Sequence, residues 1–309
     1  MNRTIKHLLT LKDFTPKEIE YIIDKGIEIK KNPEKFSDAL AYKTLIMIFQ
    51  KTSTRTRVSF ETGMTQLGGH AIYLDWRTTQ FIMSEIKDEI RVVSRYADIV
   101  MARLIKNKDL MEMAKFCTVP LINGLCEKYH PCQILGDLMT VKEKLGKLKG
   151  LKFTYLGIAN NVSNSLTVGC TKTGMEFTLC APERHTISLD QDLIDTAKKT
   201  GLYFEVKNPK QAVKDADVVY TDTWIDMELF FNPKFKEEKE RRMKTFMPYQ
   251  LNTELLKNSN ALIMHDMPVH IGYEITRDLV ESPKSIIFDQ AENRLHIQKA
   301  IILYLLGKI

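Results

Sequence analysis

Short apolar runs alternate with longer amphipathic stretches along nearly the whole chain. The runs "TLIMIF" 44–49, "AIYLD" 71–75, "DIVMARL" 98–104, "VPLING" 119–124, "LKFTYLG" 151–157, "EFTLCAP" 176–182, "ADVVYTD" 216–222, "ALIMHD" 261–266 and "SIIFD" 285–289 have strand length. Most are near-continuously apolar, as in strands covered on both faces. Between them, the recurrence of apolar positions predicts helices at 85–96, 131–146, 190–200, 236–246 and 289–306. The clearest helix is 16–31, where Thr15 is the N-cap, Pro16 takes the first position and Glu18 completes a capping box. Phe14 can staple onto Ile19, and Ile19, Ile22, Ile23 and Ile27 form one apolar stripe. Strands separated by helix-length segments predict an α/β fold built from doubly wound parallel sheets with helices on both faces.

A chain of 309 residues is long enough for roughly two domains of about 150 residues, each with its own core. The turn "KLGKLKG" 144–150, with two glycines and three lysines, is the best boundary, dividing 1–146 from 147–288. Lysine plus arginine exceed aspartate plus glutamate by 45 to 39, with both signs scattered, so nucleic acid is not an expected partner. A small anionic ligand suits the balance better. Five cysteines without a CxxC pair fit a reduced cytosol and argue against zinc. The start "MNRTIKHLLTLKDF" lacks a signal-peptide core, and no run approaches the ~20 apolar residues of a membrane span. A soluble, cytoplasmic protein is expected.

In doubly wound sheets ligands sit beyond the carboxyl ends of the strands, which singles out 50–57, 103–107, 157–164 and 222–228. The first holds Ser53-Thr54-Arg55-Thr56-Arg57 directly after a buried-type strand. A helix starting near Thr54 presents amide N–H groups without intrahelical partners, and its dipole favours an anion there. Ser53, Thr54 and Thr56 add neutral donors, and Arg55 adds a planar fork suited to phosphate oxygens. GxxxxGK[ST] and GxGxxG are both absent, so neither nucleotide hydrolysis nor dinucleotide binding is indicated. In "YHPCQILGD" 129–137, Pro131 opens a helix, leaving His130 before it and Gln133 in its first turn. Such a pair suits a carbonyl oxygen and an attacking N–H, and with the phosphate loop upstream it suits acyl transfer from an acyl phosphate. His265 and His270 have no third ligand, so no metal is expected. Cys132 reads as packing, and "KFKEEKERRMK" 234–244 as a solvated helix face with i to i+4 charge pairs.

"STRTRVSFETGMTQLGGHAIYL", "MAR", "YHPCQILGDLMTVKEKLGKLKG", "NNVSNSL", "YTDTWIDM" and "FDQAENRLHIQKA" together resemble the aspartate/ornithine carbamoyltransferase family, most closely its ornithine branch. The similarity runs nearly end to end. It implies a carbamoyl-phosphate lobe and an acceptor-amino-acid lobe, with helix 289–309 packing back on the first, and a homotrimer or multiple of trimers. By motif, Ser53, Thr54, Arg55 and Thr56 would bind phosphate with Arg103 of "MAR", while His130, Gln133 and Arg294 of "ENR" would address the carbamoyl group. Gln80 matches a position that reaches a neighbouring subunit's site, although the loop after it reads "FIMSEIKD" instead of the usual glycine-containing one. Transfer of a carbamoyl group to a neutral amine needs no cofactor.

For the acceptor, the resemblance assigns Asn161, Asp222, Met227 and Met267, but three positions depart from the family pattern. Asp226 stands for the serine and Glu228 for the glycine of DxxxSMG, and Asp266 for the cysteine of HCLP. Each departure adds negative charge, which attracts ammonium and repels a carboxylate. Asp226 strengthens the grip on ornithine's α-ammonium, or else the pocket takes a diamine such as putrescine. Asp266 is a candidate proton acceptor for the attacking nitrogen. A catalytically silent family member is a further alternative, opposed by the intact Arg55, Arg103, His130, Gln133 and Arg294.

Overall fold

Residues 5–225, 230 and 232–309 are described by the computed structural model of the protein. Its contacts divide into two units, one of residues 1–139 with 292–309 and the other of 140–291. Both junctions fall inside helices.

The first unit begins with helix α1 (Pro16–Lys31), whose Thr15–Glu18 capping box forms as the sequence predicts. Strand β1 (Thr44–Phe49) leads into α2 (Thr54–Gln66), followed by β2 (His70–Asp75), α3 (Ile86–Val93), β3 (Ile99–Arg103), α4 (Asn107–Phe116), β4 (Leu121–Leu125) and α5 (Pro131–Leu145). The sheet order is β2-β1-β3-β4, all parallel. Five residues of β1, Leu45 to Phe49, are at most 5% exposed, so the continuous apolar run reflects cover on both faces. Gly26 lets α1 approach closely: a Cβ there would meet Met139 Sδ at 2.9 Å and Ile297 Cδ1 at 3.1 Å.

The second unit contains β5 (Lys152–Leu156), α6 (Asn161–Lys172), β6 (Glu176–Cys180), α7 (Gln191–Lys199), β7 (Tyr203–Glu205), α8 (Pro209–Val213), β8 (Val218–Thr221), α9 (Lys236–Phe246) and β9 (Leu262–His265). Its sheet order is β7-β6-β5-β8-β9, again all parallel. The last helix, α10 (Ile287–Leu305), starts in this unit and ends in the first. The expected α/β architecture of two doubly wound parallel sheets is therefore what the chain adopts.

Several elements differ from the sequence reading. "SIIFD" 285–289 is not a strand: Ser285 makes one bridge to Ile263, and Ile287 already opens α10. Its isoleucines are buried at a helix start, so a short apolar run was satisfied without a ladder. Helix α6 carries no apolar stripe because it is buried almost all round. Its Ser165, Thr167 and Thr171 hydroxyls donate back to carbonyls of the preceding turn at 3.0, 2.8 and 2.7 Å, hiding polar atoms in a buried helix. Helix α9 is not purely a solvated face, since Arg242 Nη1 donates to the Trp224 carbonyl at 2.6 Å and Phe246 is buried. None of the five cysteines is in a disulfide, and all five are buried. Among the described residues no helix is long and apolar enough to cross a membrane, and no group of His, Cys, Asp or Glu is arranged to hold a metal.

Candidate active site

In the first unit the strand order reverses at β1 and β3, and the loops leaving these strands carry the phosphate-type residues. Gln50 fastens the two loops together. Its amide donates to the Arg103 carbonyl at 2.9 Å, and its Oε1 accepts from the Ile105 amide at 2.8 Å. Ser53 caps α2: its Oγ accepts from the Thr56 amide at 3.4 Å and donates to Thr56 Oγ1 at 3.0 Å. Thr56 is buried, Ser53 and Arg55 are half-buried and Thr54 is exposed. The two arginines of the stretch part company. Arg57 turns outward to Glu61 at 2.9 Å and lies over the Tyr73 ring at 3.9 Å.

Helix α5 supplies the second group of residues. His130 precedes Pro131, and one turn separates Gln133 from Asp137, so both amide and carboxylate lie on one helix face. Gln133 Nε2 donates to Asp137 Oδ1 at 2.8 Å, while Gln133 Oε1 accepts from Arg294 Nη1. Arg294 Nη2 also donates to Thr56 Oγ1 at 3.3 Å. Residues distant in sequence thus form one chain, Asp137–Gln133–Arg294–Thr56, buried to 3% exposure or less. Gln133 is bonded on both amide atoms, which makes it a mount for Arg294.

His130 is 3% exposed, and burial holds its imidazole well below the ordinary range. The charges of Arg294, Arg103 and Arg55 add to this, so four of the sequence candidates act on one another and His130 is neutral at physiological pH. Cys132, pushed up to about 12 by burial, stays a thiol and donates weakly to the Asn123 carbonyl at 3.5 Å. Gln80 is apart from this group, exposed in a short 3-10 turn, Gln80–Ile82, after β2.

In the second unit the strand order reverses between β5 and β8. Gly157, at φ 132°, follows β5 where a Cβ would lie 3.4 Å from Trp224 Nε1. Asn160 then caps α6, accepting from the Val162 and Ser163 amides at 3.0 and 3.1 Å. Its Nδ2 donates to Asp222 Oδ2 at 2.6 Å, and the Thr223 amide donates to Asp222 Oδ1 at 2.6 Å. Asp266, on the loop after β9, is among the groups that act on the Asp222 carboxyl. Burial raises the Asp222 pKa above the usual carboxylate range, against opposing effects from His265 and these hydrogen bonds.

Behind the two aspartates, His265 Nδ1 accepts from the Met267 amide at 2.8 Å, and its Nε2 meets Glu274 Oε1 at 3.2 Å. Glu274 Oε1 also accepts from the His270 amide at 2.5 Å, and His270 Nδ1 lies 2.8 Å from Thr223 Oγ1. Asn161 opens α6 with its Oδ1 accepting from the Val162 amide at 3.1 Å. Met267, at φ 61° before a cis proline, packs its side chain against the unit's apolar core. Asp226 and Met227, with Glu228, lie outside the described residues. The sequence reading missed Asn160 and Asp137. The first was signalled by the Asn-x-x-Ser capping pattern, the second by its i+4 spacing from Gln133.

Residues 6–143 match the carbamoyl-P binding domain of aspartate/ornithine carbamoyltransferase, and residues 149–305 match its Asp/Orn binding domain. An ornithine carbamoyltransferase of Pyrococcus abyssi is 45% identical, the match covering 98% of this chain and 96% of the relative. One from Archaeoglobus fulgidus is 44% identical over 98% of each. The solved ornithine carbamoyltransferase of Pyrococcus furiosus superposes with a TM-score of 0.91 at 43% identity, covering 98% of each chain. That of Giardia lamblia gives 0.87 at 36% identity, covering 98% of this chain and 99% of its own. With both domain models matched in order and relatives this similar over nearly the full length, the chain belongs to the aspartate/ornithine carbamoyltransferase family.

Proposed function

We propose that the protein transfers the carbamoyl group of carbamoyl phosphate to the side-chain amine of L-ornithine, giving citrulline and phosphate. The observation that carries this reading is the buried Asp137–Gln133–Arg294–Thr56 chain beside a neutral His130. It is supported by the ornithine carbamoyltransferase names of the relatives. The amine attacks the carbonyl carbon, and negative charge grows on the carbonyl oxygen of the tetrahedral intermediate. Thr56, His130 and Arg294 are the donors for that oxygen, each worth about 3 kcal/mol by comparison with oxyanion-hole donors. A neutral imidazole donates from N–H without repelling the neighbouring guanidinium groups. The start of α2, with Ser53, Thr54, Arg55 and Arg103, receives the phosphate as the C–O bond breaks. Gln133 keeps Arg294 on target.

Asn161, Asp222, Asp226, Asp266, Met227 and Met267 make up the acceptor side. The acidic lining of Asp222, Asp266 and Glu274 around His265 favours one further reading, a diamine acceptor, because acidic side chains attract an ammonium and not a carboxylate. The protein works in the cytoplasm as a homotrimer or multiple of trimers, with Gln80 reaching a neighbouring subunit. Product formation from carbamoyl phosphate with ornithine, putrescine, lysine and aspartate in parallel tests the assignment. Citrulline from ornithine is the expected result, and turnover of putrescine alone would transfer the assignment to the diamine. Absence of any product, with no stabilisation by carbamoyl phosphate, would mark a silent family member. Native mass measurement tests the trimer.

A further inference from the structure

We propose that Glu274 is a positioning residue of the acceptor side. Its buried Oε1 holds the loop after β9, through the tautomer of His265 and the amide of His270, in the conformation that presents Asp266 and Met267 to the amine. The inference rests on the carbamoyl-transfer reading and adds to it a residue that acts through others and not on the substrate.

Glu274 is wholly buried and reaches two residues of that loop with one atom. Its Oε1 lies 3.2 Å from His265 Nε2 and accepts from the His270 amide at 2.5 Å. The far side of the His265 ring fixes the direction of the first bond. An amide can only donate, so His265 Nδ1, 2.8 Å from the Met267 amide, is bare and the ring proton sits on Nε2, facing Glu274. An acceptor at Glu274 thus selects the tautomer that holds Met267. Met267 has φ 61°, a left-handed conformation that a residue other than glycine keeps only where its surroundings impose it. Asp266 lies between His265 and Met267, so both bonded neighbours set its backbone.

The same carboxylate reaches the end of β8 through His270. Thr223 Oγ1 gives its only hydrogen to the Ile225 carbonyl at 2.7 Å, so in its 2.8 Å contact with His270 Nδ1 the imidazole donates. The Thr223 amide donates in turn to Asp222 Oδ1, and Asp222 Oδ2 accepts from Asn160 Nδ2, both at 2.6 Å. A run of hydrogen bonds, Glu274–His270–Thr223–Asp222–Asn160, therefore ties together the segments that follow β9, β8 and β5. These segments carry Asp266 and Met267, Asp222, and Asn161.

Glu274 is itself anchored from behind. Its carbonyl accepts from the Leu251 amide at 2.9 Å, and Gln250 Nε2 donates to the carbonyls of Gly272 and Tyr273 at 3.1 and 2.8 Å. Its other oxygen, Oε2, is buried, makes no hydrogen bond among the described residues and lies 3.9 Å from His270 Nδ1. What the loop takes from Glu274 is one acceptor atom in one place, and not the charge.

Two conservative variants separate place from charge. Glu274→Gln keeps an oxygen at the same reach without the charge, while Glu274→Asp keeps the charge and draws the oxygen back by one methylene. Steady-state kinetics with the acceptor that gives product are read beside calorimetric titration of a non-transferable phosphonate analogue of carbamoyl phosphate. Glu274→Asp is expected to lower kcat/KM for the acceptor about 10²-fold, mostly through KM, as for a reacting group displaced by about 1 Å. Phosphonate affinity should stay unchanged, and Glu274→Gln should recover most of the loss. Nitrogen NMR of protein with isotopically labelled histidine adds a signature, the His265 signals being assigned by their loss in His265→Gln. A bare Nδ1 and a protonated Nε2 are expected in the wild type, kept by Glu274→Gln and lost in Glu274→Asp.

Glu274→Asp behaving as wild type, Glu274→Gln losing turnover while Glu274→Asp keeps it, equal losses of acceptor and phosphonate binding, or a proton on His265 Nδ1 would each overturn the inference. All four leave carbamoyl transfer intact. The wild-type spectrum needs no variant of Glu274, so it decides even where Glu274→Asp does not fold. Absence of product with any amine would sink the transfer reading instead, and the spectrum would still report what Glu274 does to His265.

Discussion

The two units carry sites of opposite chemistry on similar scaffolds. Each uses the loops leaving the strands where a parallel sheet reverses its order. The first gathers donors: a helix start, hydroxyls, three guanidinium groups and a histidine kept neutral by burial and by those charges. The second gathers acceptors: Asp222 on an asparagine cap, and Asp266 and a buried glutamate on either side of His265. A lining of donors suits an anion, and a lining of acceptors suits a cation. One fold type serves both because the loops, not the strands, set the sign of the charge.

The sharpest way to break this comparison is at Arg294. Its buried guanidinium links Thr56 to Gln133. Arg294→Ala should lower kcat about 10²- to 10³-fold, as for a lost oxyanion donor, with steady-state assays as the check. Arg55→Ala should mainly weaken carbamoyl phosphate binding, by about 1.5–3 kcal/mol for a lost charge-assisted bond, read by titration calorimetry.

Smaller effects follow from titration, with opposite signs in the two sites. His130 has a lowered pKa in the folded state, so its contribution to stability is intact above about 6.5 and lost as pH falls below it. Each unit of pH below that point costs about 1.4 kcal/mol until the folded-state pKa is reached. Denaturant titrations of wild type and His130→Gln between neutral and mildly acidic pH should show a shallower decline in the variant. Asp222 has a raised pKa, so its stability contribution is present below the unfolded carboxylate pKa and lost as pH rises through the folded one. Asp222→Asn, which removes that buried titrating carboxyl, should therefore lose less stability than the wild type between acidic and alkaline pH, seen as a smaller fall in Tm. The smallest effect belongs to the surface: Arg241 pairs with Glu183 and Glu238 in solvent, and Arg241→Ala should change stability by at most about 1 kcal/mol.

The first site was more legible than the second for a physical reason. A run of donors placed in five successive residues after a buried strand declares its ligand through local chemistry alone. His130 and Gln133 were legible too, but the part played by Gln133 was not. Its amide is engaged by Asp137 one turn on and by Arg294 from another helix, so it orients a donor. The acidic cluster of the second unit is assembled from the ends of β5, β8 and β9, and the bond from Asn160 to Asp222 joins residues that no local pattern connects. Helix α6 escaped periodicity for a related reason, since its serines and threonines satisfy themselves within the helix and leave no polar face.

What the sequence determined by itself were the properties set within a few residues: strand and helix alternation, the capping of α1, the start of α2 and the donor run upon it. Backbone geometry and hydrogen bonding at that range depend on neighbours in the chain. Tertiary structure alone decided which side chains titrate abnormally and which are held in place. The pKa of His130 depends on burial and then on Arg294, more than a hundred residues away, and that of Asp222 on burial and then on His265, at the end of another strand. Burial and Coulomb interactions act through space, and the chain's order carries no measure of those distances until it folds.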